Sequence, residues 1–208
     1  TSSGFLPPYN AVIIDEAHNL ISTAYSQLSI HMDQFIIISV LRSIDPSNIG
    51  TVWWSKSLKD LSKLYPEFES YYKNLQDQVN EGMEAVKEFF NILSLHYAKR
   101  FSVKDTYTKK VIIENLTEEF GSVQGELHWL SSILNNLLQT LDRIERKLLS
   151  IDPDKKEYPD LHHTLEQRID LLKEKSAILV MLTANQNSDW VYWQEGKFIQ
   201  TGNEGRTL

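Results

Sequence analysis

The chain has no cysteine among its 208 residues, which excludes disulfides, thiolate metal sites and cysteine nucleophiles and leaves the redox compartment open. It has no apolar stretch approaching the roughly 18 to 20 residues that span a bilayer. Its opening residues, TSSGFLPPYN, have neither the basic start nor the hydrophobic core of a signal peptide. The expectation is an intracellular, cytoplasmic protein with no membrane partner. Basic charge is also short. With 21 Lys and Arg against 28 Asp and Glu, the formal net charge is -7, so the chain as a whole lacks the basic footprint of non-specific nucleic-acid binding and any such contact must be local. A phosphate-cradling G-x-x-x-x-G-K-[ST] loop is missing as well, and the nearest run, GNEGRT, lacks its spacing and its lysine.

What is present suffices for a folded protein. Hydrophobic residues make up 41% and aromatics 11% of the chain, too many for disorder, and the length suits one large or two small domains. The run Ala11 to Ile14 is apolar, β-branched and short, the pattern of a strand buried on both faces in a parallel sheet. From His18 to about Ser43 the pattern turns helical, IDPSNIG at 44–50 reads as a loop, and a short helix is expected over about Ser55 to Leu64.

Two longer segments carry the expected architecture. From Pro66, suited to a first helical turn, apolar residues recur as Phe68, Tyr72, Leu75, Val79, Val86, Phe89 and Leu93, with Gly82 filling one slot. The spacing alternates fours and threes, a heptad seam. A second seam runs Leu116, Phe120, Val123, Leu127, Leu130, Leu134, Leu137, Leu141, Ile144 and Leu148, predicting one unbroken helix of roughly 50 Å at about 1.5 Å per residue. It should stop in SIDPDKKEYPD. A third helix, about Asp160 to Ala184, carries Leu165, Ile169, Leu172 and Leu179 on one side. The two seams most simply form an antiparallel hairpin. DWVYWQEGKFIQ near the carboxy end reads as a β-hairpin turning between Gln194 and Lys197.

The chemistry-bearing residues cluster at the end of the apolar strand, where Asp15 and Glu16 are followed by His18. A nucleotide hydrolase needs one carboxylate to hold Mg²⁺, usually through water, and a second group to orient the attacking water. Ligands of open parallel sheets bind outside the carboxyl ends of the strands, where this pair stands. The plain alternative is that Asp15 caps a helix beginning near Glu16.

VIIDEAHNL resembles the Walker B or DEAH box of superfamily 2 helicases, and the AHNL ending followed by a long helical insertion is similar to the DinG and XPD branch. There a mostly helical arch is inserted after the DEAH box, so the resemblance covers nearly the whole chain. It implies that Asp15 binds Mg²⁺, with Glu16 also on the metal through water, that Glu16 positions and deprotonates the hydrolytic water, and that His18 links the nucleotide site to the motor. It further implies ATP as the cofactor with Mg²⁺, 5′ to 3′ unwinding of single-stranded or forked DNA, and an arch that frames the strand. The rest of the helicase motor would be the other partner. In XPD-like relatives the iron-sulfur cysteines precede the DEAH box, so their lack here is neutral. Without a phosphate loop the 208 residues should be inactive alone.

The expected fold is therefore mainly α. A long antiparallel helical hairpin with packed helices accompanies a small β portion of a truncated α/β motor domain. Residues 1–20 would carry the Walker B strand and DEAH box, 21–185 the arch-like insertion, and 186–208 a β-hairpin returning to the motor domain. The connector between the seams holds Lys99, Arg100, Lys104, Lys109 and Lys110, with Phe101 and Tyr107 interleaved, a local basic patch able to hold phosphates and stack bases or simply to stay solvated. His162 and His163 are expected on the surface, because adjacent histidines face different sides of a helix and no further ligand is evident. Trp53, Trp54, Trp190 and Trp193 are expected as core or interface aromatics. A non-enzymatic helical module, whose heptads bury a partner helix or self-associate, is the rival reading.

Overall fold

The computed structural model describes residues 15–48, 52–98, 109–183, 189–196, 198–201 and 204–207. The chain divides into two compact units, Thr1–His31 and Met32–Leu208. In the first unit the described chain opens on a turn at Asp15 and Glu16, then a 3₁₀ turn, Ala17–Asn19, and helix α1, Leu20–Leu28. The expected strand Ala11 to Ile14 lies outside the described residues.

The helix expected from His18 to Ser43 is broken. α1 stops at Leu28, and α2, Gln34–Ile44, starts afresh because the Asp33 carboxylate accepts a hydrogen bond from Ile36 N at 2.7 Å, an N-cap inside an otherwise periodic apolar stretch. α3, Val52–Leu64, begins earlier than expected. α4 runs Glu67–Ala98, 32 residues, and buries Phe68, Leu75, Val79, Val86 and Phe89, with Tyr72 and Leu93 packed partly buried beside them.

The second seam is one line of buried residues on three elements rather than one helix. α5 spans Leu116–Phe120, a 3₁₀ turn Gly121–Val123 interrupts it, and α6 runs Gln124–Ile151. Every residue of that seam is at most 9% exposed. The interruption thus changes the backbone without turning the seam outward. α6 has 28 residues, about 42 Å at about 1.5 Å per residue.

The hairpin is antiparallel. At one end Lys147 Nζ lies 3.0 Å from Glu67 Oε1, and at the other His96 Nδ1 is 3.2 Å from Ser122 Oγ. Partners in α4 therefore advance as those in α6 recede. Between them, a methyl group on Gly82 would stand 3.2 Å from Leu41 Cδ2 and 3.5 Å from Ile133 Cγ2. Glycine fills that heptad slot because α2 packs into it.

α7, Pro159–Thr183, returns along α6 and buries Leu161, Leu165, Ile169, Leu172 and Leu179. The turn between them is organised by Asp152, 3% exposed, whose carboxylate accepts from the N–H groups of Lys156, Glu157 and Tyr158 at 2.9, 3.0 and 2.9 Å. Burial pushes its pKa up, but the Tyr158, Lys156 and Glu157 amides and the nearby His162 outweigh it and hold the carboxyl below the ordinary 3.8. On the other side, Arg168 of α7 reaches α2, where its Nε donates to the Ser43 carbonyl and its guanidinium stacks 4.4 Å from the Trp54 ring centroid. Trp54 Nε1 donates to Ile44 O at 3.0 Å, so the carboxyl end of α2 is closed by side chains from two other helices. Burial pushes the Arg168 pKa down to about 10, which leaves it charged at neutral pH.

The β portion corrects the sequence reading. β1, Lys109–Ile113, lies within the connector, and β2, Tyr192–Gly196, pairs with it antiparallel, in the register Lys110 with Glu195 and Ile112 with Trp193. The strand expected to turn back on its own neighbour is thus held by residues some eighty positions earlier. A second two-stranded sheet joins β3, Phe198–Thr201, to β4, Glu204–Thr207.

Candidate functional site

The DEAH residues are described by their own local geometry. Asp15 Oδ1 accepts the Glu16 N–H at 2.9 Å, so this carboxylate closes a turn of its own and does not cap the second or third amide of a helix. Glu16 sits at φ 51° and ψ 42°, a left-handed conformation that costs a non-glycine residue about 1–2 kcal/mol. Its carbonyl accepts Asn19 N at 2.8 Å, starting the 3₁₀ turn. The bend returns the Glu16 side chain to His18, with Oε2 3.1 Å from Nδ1. Both side chains are largely exposed, 68% and 72%. Glu16 and His18 therefore form one exposed carboxylate–imidazole pair, with Asp15 next to it in the chain. Among the described residues no group of three or more His, Asp or Glu is arranged to hold a metal, and a single carboxylate acting through water is the mode of Mg²⁺ binding this donor set suits.

Of the connector's basic residues, Lys99, Arg100 and Lys104 lie outside the described residues, as do Phe101 and Tyr107. Lys109 opens β1. Lys110 is already engaged, with Nζ 3.8 Å from Glu195 Oε2 across the ribbon and 5.4 Å from the Trp193 ring centroid.

His162 corrects an expectation: it is 2% exposed, with Nε2 3.4 Å from the buried Asp152 Oδ2. The cause is the fold of the turn, which brings α7 back over Asp152. His163 is exposed and meets Gln167 at 2.9 Å, so the two rings do face different sides. Glu166, one turn beyond His162, is bound to Lys155, whose hydrogen bond lowers its pKa. Asp152 is the carboxylate nearest His162, and among the described residues the histidines belong to no group of three or more arranged to hold a metal. Of the tryptophans, Trp54 is buried at 1%, whereas Trp53 and Trp190 are 47% and 39% exposed. The lysines of α3, Lys56, Lys59 and Lys63, carry no motif signal, yet their spacing by three and four places them on one helix face.

No family model matches the chain, and no solved structure matches it. A curated protein to which it is similar is the kinesin-like protein KIF15 of Strongylocentrotus purpuratus, 28% identical over 132 residues. The likeness covers 60% of this chain and 8% of that protein. At that identity and span it defines no family for this chain.

Proposed function

We propose that this chain is part of an ATP-dependent DNA helicase of the DinG and XPD type, contributing the DEAH box and a helical arch that guides single-stranded DNA. The observation that carries the reading is the VIIDEAHNL stretch, with the Glu16 carboxylate on His18 at 3.1 Å and Asp15 beside it. A left-handed glutamate is a costly conformation of the sort found where side chains are held for chemistry. The long antiparallel hairpin that follows is in keeping with an arch.

Asp15 supplies the hard oxygen donor that Mg²⁺ takes, reached through water. When bound, Mg²⁺ neutralises charge on the transferred phosphoryl group. Glu16 orients and deprotonates the attacking water, and His18 holds the Glu16 carboxylate in place and relays the state of the site. The reading requires a phosphate-cradling loop outside these 208 residues. The rival, a module whose heptads receive a partner helix, needs a free seam. Most seam residues of α4 and all those of α6 are buried within the chain, with Tyr72 and Leu93 partly buried, which favours the helicase reading.

The test is Glu16→Gln in the intact polypeptide. It should lower DNA-stimulated ATP hydrolysis by about 10²–10⁴-fold while nucleotide binding persists. Turnover retained within tenfold would overturn the assignment of the base.

A further inference from the structure

The outward face of α3 carries a basic stripe. Trp54, Leu58 and Leu61 are at most 2% exposed, and at about 100° per residue Lys56, Lys59 and Lys63 fall on the opposite side. Trp53, 47% exposed, stands one turn before Lys56. Three cations against the single carboxylate of Asp60 make this face positive in a chain of net charge -7.

The lysines are differently held. Lys63 Nζ is 2.7 Å from Asp60 Oδ1, and Lys59 Nζ lies 5.1 Å from the centroid of Tyr72, whose hydroxyl donates to Pro46 O at 3.3 Å. Lys56 makes no ion pair among the described residues. Between the stripe and the turn after α2 runs an open hollow of about 520 Å³, lined by the three lysines and Asp60, to which Ser47, Asn48 and Ser55 add neutral polar groups. The lysines climb about 10 Å along the helix at about 1.5 Å per residue.

We propose that this face of α3 binds single-stranded nucleic acid, with Lys56, Lys59 and Lys63 on successive backbone phosphates and Trp53 stacking a base. Positive charge in a hollow selects a polyanion. The exposed indole of Trp53, one helical turn before Lys56, selects unpaired bases, whose π-faces a duplex hides. The choice of ligand rests on the DNA-handling reading above.

The experiment is fluorescence anisotropy of a labelled oligo(dT) with the full chain across a salt series. The triple variant Lys56→Gln/Lys59→Gln/Lys63→Gln should reduce the slope of log K against log salt by about 2, three contacts at about 0.7 each. Trp53→Ala should weaken binding roughly tenfold with the slope unchanged. Lys87→Gln/Lys173→Gln, outside the hollow, should bind as the parent chain does. All the substituted side chains are exposed, and matching thermal melts establish that the variants fold. An unchanged slope in the triple variant, equal affinity for a duplex of the same length, or no binding by the parent chain overturns the proposal. If Glu16 proves essential for turnover and the lysines inert, this proposal falls alone. If the lysines matter and Glu16 is dispensable, only the motor reading falls.

Discussion

The DEAH segment and the helical hairpin put their side chains to opposite uses. Residues 15–20 are all exposed, and the 3₁₀ turn Ala17–Asn19 buries nothing. α6 buries a side chain at almost every third or fourth residue from Leu127 to Leu148. In the first region the backbone takes a strained conformation and the polar groups pair with each other. In the second the backbone is regular and the apolar groups pair across helices. Buried packing and exposed polar pairing are thus separated along the chain, and a substitution should disturb one without the other.

The sharpest way to break that comparison is to cut into the seam. Leu141 is fully buried, and Leu141→Ala should cost about 2–5 kcal/mol in urea unfolding. A loss under 1 kcal/mol would mean that the hairpin does not carry the fold. Next comes the turn that joins α6 to α7. Because folding holds the Asp152 carboxyl below its ordinary 3.8, its contribution is present above the unfolded value and lost as pH falls through the folded one. Thermal melts of Asp152→Asn should therefore lie below the parent at neutral pH and converge with it in the acid range. A constant offset down to pH 2 would show that ionisation is not what holds the turn. The smallest effect belongs to the first unit, where Leu28 is 81% exposed. Leu28→Ala should change stability by no more than about 0.5 kcal/mol, and a larger loss would reveal burial by a partner.

Much of the hairpin was legible because heptad spacing is a local property. Residues three and four apart share a helix face whatever lies across from them. The same logic explains the misreadings. Asp33 as a cap and the 3₁₀ turn at Gly121–Val123 leave the apolar period intact, so a period alone cannot show a break. His162 read as a surface residue because its neighbour Asp152 becomes a neighbour only when the turn forms. The residues of the DEAH segment were legible by type and order, but the Glu16–His18 pair depends on a left-handed glutamate that no residue preference favours.

By itself, the sequence determined the identity and rough extent of the long helices, their buried faces and the end of α6 within SIDPDKKEYPD, since each follows from spacing or breaker residues within a short stretch. Only the tertiary structure decided that β2 pairs with β1, that Arg168 closes α2 from 125 residues away, and that Leu41 fills the space left by Gly82. The reason is physical: such contacts join groups far apart in the chain, and their energy depends on shape and desolvation at a meeting point that exists only once the helices have packed.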